Sequence, residues 1–376
     1  MVLKRIGTIG FALVALTVLS GWGSVGHKFI NRNMTLHLPP EMLGFIQRIQ
    51  FLGDNASVAD NRKSSDPTEG PKHFMDIDDY PEFAAHSVFH NLDSLVQKYG
   101  ATRVYDNGIS PFATLWAVDS LTAQMKRGDW TKAWSTAADL GHYVGDQHQP
   151  LHNAKNYDGQ YTGNSGIHSR YESSMISTYQ GQLVVTPSSV KYIDKPIEFI
   201  FDCVYTSNAF VDSVLAADNY AKQVSGWSGS GSAPASYYTA LWGRCKSFTL
   251  LQMQQATEHF ASLLYTAWVN AGSPPIPGVA AAGIISATPG TIVLGQNYPN
   301  PFNLETAISY QLSATSFVRL GILDMQGRKV ATIVNEEQPA GTYTRRWNAG
   351  GMPSGVYFCM LQAGGFTVTR KLVLIK

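Results

Sequence analysis

The sequence predicts a mainly α-helical domain followed by a small all-β sandwich. Apolar residues recur at helical spacing from Trp22 to about Gly272, whereas short β-branched runs separated by turn residues fill 292–376. Between them, residues 273–291 are rich in proline, alanine and glycine and have no helical face, which is typical of a linker. A chain of 376 residues is long enough for two such domains. We therefore expect a helical domain over 22–272 and a β domain over 292–376.

The N-terminus has the pattern of a signal peptide. Lys4 and Arg5 precede an apolar run over 6–19, which ends in the small residues Ser20 and Gly21. A membrane anchor is the alternative interpretation, but the run is too short and wrongly flanked for a spanning helix. No other segment of the sequence resembles a transmembrane helix. We expect residues 1–21 to be a signal peptide and the protein to be exported.

Helices in the first domain are predicted from capping residues and apolar spacing. Pro39 and Pro40 are typical of a helix start, and Asp129 can cap a second helix that Gly145 and Pro150 end. The buried face of this second helix is predicted to be Trp130, Trp134, Ala137 and Val144. A long helix near the end of the domain carries Leu251, Phe260, Leu263, Leu264 and Trp268. Residues 156–166, which are rich in small polar residues, are predicted to form a loop.

The β domain is predicted from short apolar runs between turn residues. These runs are Ala307–Leu312, Val318–Leu323, Val330–Val334 and Phe366–Ile375. Gln326-Gly327, Ala340-Gly341 and Pro353-Ser354-Gly355 separate them. We expect a sandwich of about seven strands.

Charge and cysteine content exclude several classes of protein. The net charge is +1, so no strong overall field attracts nucleic acid or anionic lipid. The three cysteines are odd in number and widely spaced, which excludes a cysteine-based zinc cluster and a disulfide scaffold. A Cys203–Cys245 bridge and two buried free thiols both remain open. The sequence has no H-E-x-x-H peptidase motif and no phosphate-binding P-loop.

Histidines and carboxylates are concentrated in a short part of the helical domain. The pairs His142/Asp146 and His168/Glu172 are each four residues apart, so each pair can lie on one helix face and bind one metal ion. Zinc binds imidazole nitrogen and carboxylate oxygen, usually with four ligands. We define site 1 as Asp60, His73, His142 and Asp146. Site 2 consists of His152, His168 and Glu172.

A third group, site 3, combines His27 with Trp22 as the first residue of the mature chain. The Trp22 amino nitrogen and carbonyl oxygen could chelate a metal, because an α-amino group loses its proton near neutral pH. Asp146 could bridge this ion to the ion of site 1. Two ions about 3.5–4 Å apart can share a hydroxide and polarise a phosphoryl oxygen.

The remaining histidines are interpreted as structural. His37 is expected at the surface or at a cap, and His86 and His90 on a partly exposed helix face. His148 is expected to hold a zinc ligand in place without binding metal itself. His259 is expected to pack in a helix.

At these residues the chain resembles the zinc-dependent phospholipase C family and the related fungal single-strand-specific nucleases. The resemblance covers Trp22 to Gly272. Its motifs are Trp22 with His27, Ala59-Asp60, His73-Phe74-Met75-Asp76-Ile77-Asp78, Gly145-Asp146-Gln147-His148-Gln149-Pro150-Leu151-His152 and Gly166-Ile167-His168-Ser169-Arg170-Tyr171-Glu172. It implies a helical phospholipase C/nuclease-like fold, three zinc ions held by sites 1, 2 and 3, and catalytic roles for Asp60, as candidate general base, and Asp146.

The two branches of the resemblance imply different substrates. His168-Ser169-Arg170-Tyr171-Glu172 is similar to the phospholipase branch, whereas the short Trp22 to His27 spacing and His148 are more similar to the nucleases. We favour a secreted phosphodiesterase that cleaves phospholipid with a metal-activated hydroxide. A single-strand-specific nuclease or nucleotidase with the same zinc cluster is the first alternative. An exported surface protein with structural zinc is the second.

The C-terminal domain resembles the type IX secretion sorting domain. The matching segments include Asn297-Tyr298-Pro299-Asn300-Pro301-Phe302-Asn303, Ser354-Gly355-Val356-Tyr357 and the final Lys371-Leu372-Val373-Leu374-Ile375-Lys376. The resemblance implies that the type IX machinery is a partner, and that the protein crosses the periplasm to reach the cell surface or the medium.

Overall fold

A computed structural model describes residues 22–277 and 292–376, apart from 43, 46, 47, 313, 364 and 365. The chain divides into two compact units, Met1–Gly278 and Val279–Lys376. We call them the helical unit and the β unit. The predicted fold class, a mainly helical domain followed by a small β sandwich, is confirmed. The signal peptide predicted over 1–21 and most of the predicted linker lie outside the described residues.

Helices joined by short turns and by longer connecting segments form the helical unit. They are α1 (Gly23–Asn33), α2 (Ile49–Asp54), α3 (Val58–Arg62), α4 (Leu92–Tyr99), α5 (Ala101–Asp106), α6 (Ser110–Lys126), α7 (Trp130–Gln147), α8 (Ile167–Ser169), α9 (Ile176–Tyr179), α10 (Pro196–Asn208), α11 (Val211–Ser225) and α12 (Ala235–Asn270). A π-helical turn, Arg170–Met175, joins α8 to α9. Turns of 3-10 helix lie at Met34–Leu36, Pro40–Met42, Gly70–His73, Ile77–Asp79, Phe83–Ala85, Pro150–Asn153 and Gln180–Gln182.

Helix α7 begins where the sequence predicts and ends later. The Asp129 carboxylate accepts a hydrogen bond from the Lys132 amide at 3.3 Å, which satisfies one free N–H of the first turn. The helix continues through Gly145 to Gln147, so the predicted stop at Gly145 is wrong. Gly145 serves instead as a point of close contact with α1. Pro150 starts a separate 3-10 turn.

The long helix predicted near the end of the domain is α12, with 36 residues. Phe260, Leu263 and Leu264 are buried in it, whereas Leu251 is 46% exposed and lies on its solvent face. Helix α12 packs against α11, α7 and α6. No helix in the described part of the chain combines the length and apolar character needed to cross a bilayer.

Two apolar clusters hold the helical unit together. The larger one joins α1, α6, α7, α11 and α12 and includes the fully buried Trp22, Phe45 and Phe260. The smaller one gathers Ile77, Leu95, Val104 and Phe201 around α4, α5 and α10. The metal-ligand candidates lie on or beside α1, α3, α7 and α8 and on the 3-10 and π turns, so packed elements position them.

Two antiparallel sheets form the β unit. Its strands are β1 (Ile292–Leu294), β2 (Glu305–Leu312), β3 (Ser316–Leu323), β4 (Lys329–Gln338), β5 (Gly341–Asn348), β6 (Gly355–Ala363) and β7 (Phe366–Leu374). One sheet has the order β1-β2-β5 and the other β4-β3-β6-β7. Alternate residues of β2, such as Ile308 and Tyr310, are buried against residues of the second sheet, such as Leu320 and Leu361.

Candidate metal centre

Glycines let helices α1 and α7 approach each other closely. A Cβ atom on Gly145 would lie 2.9 Å from His27 Nδ1, and one on Gly141 would lie 2.2 Å from the Asn31 amide oxygen. Asn31 fixes the contact, because its amide donates to the carbonyl oxygens of Leu52 and Ala138 at 3.1 and 3.0 Å. As a result the His27 ring stacks on the His142 ring, with 3.9 Å between centroids.

Site 1 residues converge from three elements. His142 and Asp146 are four residues apart on α7, Asp60 lies on α3, and His73 ends the 3-10 turn Gly70–His73. The distance from His142 Nε2 to Asp146 Oδ2 is 3.2 Å, and that to Asp60 Oδ1 is 3.5 Å. His73 Nδ1 lies 2.9 Å from His142 Nε2 and 3.0 Å from Asp146 Oδ2. All four side chains are buried.

The two carboxylate oxygens of Asp146 face different groups. Oδ2 faces His73 and His142 of site 1, whereas Oδ1 lies 3.4 Å from His27 Nε2 and 3.6 Å from His152 Nδ1. Both ring nitrogens of His27 and Oδ1 of Asp146 lack a hydrogen-bond partner although they are buried. This arrangement fits a carboxylate placed between two cations.

Site 2 forms where α8 and the π-helical turn meet the turn Pro150–Asn153. His168 Nε2 lies 2.9 Å from Glu172 Oε2, and His152 Nε2 lies 3.3 Å from the same oxygen. Gln149 donates a further hydrogen bond to Glu172 Oε2 at 3.0 Å. Single π-helical turns recur at functional sites, because they change the direction of a side chain within an otherwise regular helix.

The N-terminal end of α1 packs beside site 2. Gly23 has a φ of +58°, and a Cβ there would lie 3.1 Å from Ser173 Oγ and 3.5 Å from the Glu172 carbonyl oxygen. The Trp22 ring is fully buried against Tyr171, with 5.6 Å between centroids. The Trp22 carbonyl oxygen accepts the Gly26 N–H at 3.1 Å. The backbone of Trp22 therefore lies near the ligands predicted for the other sites.

The imidazole rings of His142, His152 and His168 are oriented as expected around a bound cation. His142, His152 and His168 each donate Nδ1–H to a backbone carbonyl oxygen, at 2.7, 2.7 and 3.0 Å. In the neutral rings Nε2 then carries a lone pair, and the Nε2 atoms of His152 and His168 are only 3.1 Å apart. Lone pairs this close repel unless a cation or a shared proton lies between them. Donors at about 2.0–2.1 Å from a tetrahedral zinc ion are roughly 3.3 Å apart, so the observed spacing suits zinc.

Electrostatics also favour positive charge at site 1. Burial alone would lower the pKa of His142, but the carboxylates of Asp146 and Asp60 raise it to about 10. Burial alone would raise the pKa of Asp60, but His142, together with Lys63, holds it well below its ordinary value. Both carboxylates are therefore ionised at neutral pH, which is the form that binds metal.

Glu69 supports site 1 from outside, and the sequence analysis missed it. Its buried carboxylate accepts hydrogen bonds from Tyr143, Arg62 and Lys72 at 2.5, 3.1 and 2.8 Å. Glu69 Oε1 also lies 3.5 Å from His73 Nε2. The spacing of four residues between Glu69 and His73 is the only sequence signal that could have found this residue.

Asp218 supports site 2 in the same way. Arg170 lies between His168 and Glu172 in sequence, and its guanidinium donates to Asp218 Oδ1 at 3.0 Å. The fully buried Asp218 carboxylate also accepts hydrogen bonds from Tyr237, Lys222 and Asn164. Arg170 further donates to the carbonyl oxygens of Ser165 and Asn164. This network fixes the π-helical turn against α11 and the loop over 156–166.

A cavity of about 900 Å³ opens beside sites 1 and 2. Asp60, His73, His152 and His168 face it directly. The rest of its lining mixes polar and apolar side chains, namely Asn61, Lys63, Ser64, Pro67, Gly70, Phe74, Asp76, Asp106, Leu151 and Tyr157. Donors from both sites therefore reach one solvent-accessible volume.

Other histidines differ from expectation. His37 is buried, and its Nε2 lies 3.0 Å from Thr257 Oγ1, so the predicted surface position is wrong. The other alternative, a cap, fits its position at the end of the 3-10 turn Met34–Leu36. His86 and His90 lie between a 3-10 turn that ends at Ala85 and α4, which begins at Leu92, and not on a helix face. His148 contacts the Val144 carbonyl oxygen and His259, and not the residues of sites 1 to 3.

All three cysteines are free and buried, which excludes the Cys203–Cys245 bridge in this structure.

Comparison with known proteins identifies the β unit. Residues 296–376 match the secretion system C-terminal sorting domain, which confirms the predicted type IX sorting domain. The protein is therefore exported by the type IX machinery to the cell surface or beyond it. No curated protein matches the sequence.

Two solved structures resemble the chain at low similarity. An alpha toxin from Clostridium absonum has 13% identity and a TM-score of 0.43, over 94% of each chain. The alpha-toxin of Clostridium perfringens avian strain SWCP has 11% identity and a TM-score of 0.37, over 94% of this chain and 95% of the toxin. At this similarity, any inference of function depends on the side chains of the protein itself.

Proposed function

We propose that the helical unit is a zinc-dependent phosphodiesterase that acts outside the cell on phospholipid, with phospholipase C chemistry. One observation carries the proposal: buried donors of sites 1 and 2, held by packed elements, line one cavity of about 900 Å³. A cavity of this volume accommodates a substrate of ordinary ligand size.

The residues present fit zinc. Asp60, His73, His142 and Asp146 would hold one ion, His152, His168 and Glu172 a second, and Trp22, His27 and Asp146 a third. Neutral imidazole and carboxylate are zinc ligands, and the ring nitrogens directed away from the sites bind backbone carbonyls, as metal-binding histidines commonly do. Bound zinc would supply Lewis-acid chemistry, by neutralising charge on phosphoryl oxygens and by acidifying water.

The protein's own residues prepare the reaction in three ways. Asp60 is ionised and lines the cavity, so its carboxylate can accept a hydrogen bond from the attacking water and orient it. Its role as general base rests on this position, because a lowered pKa weakens a base. Lys63 lies 2.6 Å from Asp60 Oδ1 and lines the same cavity, where its charge favours a bound phosphate. Asp146 is fully buried, and its two carboxylate oxygens face His73 on one side and His27 and His152 on the other, so it links the three groups of ligands.

The cavity lining favours a lipid over a nucleic acid. Asp60, Asp76 and Asp106 contribute three carboxyl groups, whereas Lys63 is the one lysine in the lining and no arginine lies there. Proteins that bind single strands instead place a basic groove along the phosphate backbone. Phe74 and Leu151 add apolar surface beside the ligand residues, which suits a substrate with one phosphodiester next to an apolar body.

A single-strand-specific nuclease is the second candidate, and one observation favours it. Tyr157 lines the cavity, and Tyr161 on the same loop is 67% exposed. Exposed aromatic rings near a phosphate site are suited to stacking on bases.

Parallel assays test the proposal and separate the candidates. The mature protein from Trp22 onward, loaded with zinc, is assayed on phosphatidylcholine vesicles and on single-stranded DNA, with and without a chelator. We expect chelator-sensitive release of diacylglycerol and a phosphorylated head group. DNA cleavage without lipid turnover would favour the nuclease, and turnover of neither by zinc-loaded protein would favour a structural role for zinc.

A pair of histidine variants links activity to the ligands. His142→Ala removes a buried site 1 donor, and we expect it to lose bound zinc and turnover. His86→Ala is the matched control, because this imidazole is exposed and stacks on Tyr205 away from the sites. Full activity and zinc content in His142→Ala would contradict the ligand assignment.

A further inference from the structure

Three helices bring His148, Cys203 and His259 together outside sites 1 to 3. His148 follows the end of α7, Cys203 lies on α10 and His259 on α12. His148 Nε2 lies 2.8 Å from His259 Nδ1, and Cys203 Sγ lies 3.2 Å from the same nitrogen. The three ligand atoms all lie within 4.8 Å of one another. His148 and Cys203 are 2% and 7% exposed, so water does not solvate these groups freely.

The nitrogen and sulfur atoms of this cluster share few hydrogens. His148 donates Nδ1–H to the Val144 carbonyl oxygen at 2.7 Å, so its Nε2 is an acceptor when the ring is neutral. His259 Nδ1 lies within hydrogen-bond distance of both His148 Nε2 and Cys203 Sγ, and the thiol S–H is a further hydrogen in the cluster. A cation between the three atoms would satisfy all of them.

A small cavity adjoins the cluster. Its volume is about 190 Å³, and its lining includes Asp202, Thr206, Gln252 and Gln255 beside the three candidate ligands. Gln252 is 1% exposed, and its amide nitrogen donates to the His148 carbonyl oxygen and to Ser207 Oγ. Its amide oxygen has no partner. The cavity therefore contains a buried acceptor suited to a water molecule or small ligand on a bound ion.

We propose that His148, Cys203 and His259 form a fourth metal site, separate from sites 1 to 3, for a borderline divalent cation such as Zn²⁺. Two imidazoles and one thiolate are a ligand set that zinc and cobalt accept, and three protein ligands leave one coordination position for the cavity. On binding, the Cys203 thiol releases its proton to solvent. The ion would cross-link α7, α10 and α12.

Cobalt substitution tests this site with a signal that sites 1 to 3 cannot give. Their ligand sets contain no thiol, so a thiolate-to-cobalt charge-transfer band in the near ultraviolet reports on Cys203 alone. The full mature protein is loaded with Co²⁺, and its spectrum and bound cobalt are measured. We expect the band in the wild-type protein. Cys203→Ser should lose the band and one equivalent of cobalt, and His259→Gln should weaken both.

Cys245→Ser is the matched control, because Cys245 is another fully buried thiol on α12 outside this cluster. It should keep the band and the full cobalt content. Absence of the band in wild-type protein that holds cobalt at its other sites would overturn the proposal, and so would a band that persists in Cys203→Ser. The three side chains would then form a hydrogen-bonded chain only. The measurement needs no turnover, so it stands or falls separately from the proposed activity.

Discussion

Replacing Asp218 with asparagine should destabilise the helical unit and loosen site 2. The Asp218 carboxylate is fully buried and accepts hydrogen bonds from Arg170, Tyr237, Lys222 and Asn164. Asparagine keeps the shape but removes the charge that balances Arg170 and Lys222. Breaking a buried ion pair from one side costs about 3–5 kcal/mol. We expect a loss of that size in the free energy of unfolding at pH 7.

The pH dependence of this loss has a definite sign. Burial alone would raise the pKa of Asp218, but its partners, led by Lys222 and Tyr237, hold it below the ordinary value. Below about pH 4, the unfolded chain binds a proton that the folded protein binds only at lower pH. The stabilisation by Asp218 is therefore complete above that pH, and it is lost as the pH falls through the lowered pKa. The difference between the wild-type protein and Asp218→Asn should shrink on acidification.

Urea unfolding followed by far-ultraviolet circular dichroism measures both effects. Asp212→Asn is the matched control, because Asp212 is an exposed carboxylate on the same helix, α11. Surface substitutions of this kind usually change stability by less than about 0.5 kcal/mol. The reasoning is refuted if Asp218→Asn unfolds like Asp212→Asn at pH 7, or if its deficit grows in acid. A second readout is zinc content, which should fall because Arg170 holds the turn between His168 and Glu172.

Three further predictions concern other parts of the molecule. Glu69→Gln should weaken zinc binding about 10–100-fold in a chelator competition. Glu41→Gln, at an exposed position, should not; equal affinities would contradict the supporting role. Gly145→Ala should lower the free energy of unfolding by about 1–3 kcal/mol, because its Cβ would contact the His27 imidazole on α1. Gly243→Ala, whose Cβ would meet no atom within 4 Å, should not destabilise the protein. An unchanged thermal unfolding midpoint in Gly145→Ala would contradict the close contact between Gly145 and His27. Removal of 292–376 should block export and leave catalysis intact, as measured by fractionation and assay of the retained protein.

The fold class could be predicted because each unit has a uniform local pattern. Helical spacing of apolar residues and Asp129 as a cap predicted the start of α7, and short β-branched runs predicted β2, β3, β4 and β7. The end of α7 could not be predicted. Glycine often ends a helix, so Gly145 indicated a helix end. It instead allows α1, which is distant in sequence, to pack closely against α7.

The candidate sites also combine residues that a local pattern predicts with residues that only long-range packing brings together. His142/Asp146 and His168/Glu172 are local pairs, so their spacing alone suggested that they lie together. Supporting residues such as Glu69 and Asp218 have only a weak local signal, a partner three or four residues away, because their other partners come from distant elements. The cluster of His148, Cys203 and His259 was missed because its members come from three separate parts of the sequence, and their contact depends on the packing of α7, α10 and α12.

The position of Asp146 has a consequence for how metal would enter the protein. Its two oxygens face separate groups of donors, with Oδ2 3.0 Å from His73 Nδ1 and Oδ1 3.4 Å from His27 Nε2. An ion held on one side fixes the Asp146 carboxylate in the orientation that an ion on the other side needs. Occupancy of the two positions should then be cooperative, so that a titration of the metal-free protein populates few half-filled molecules.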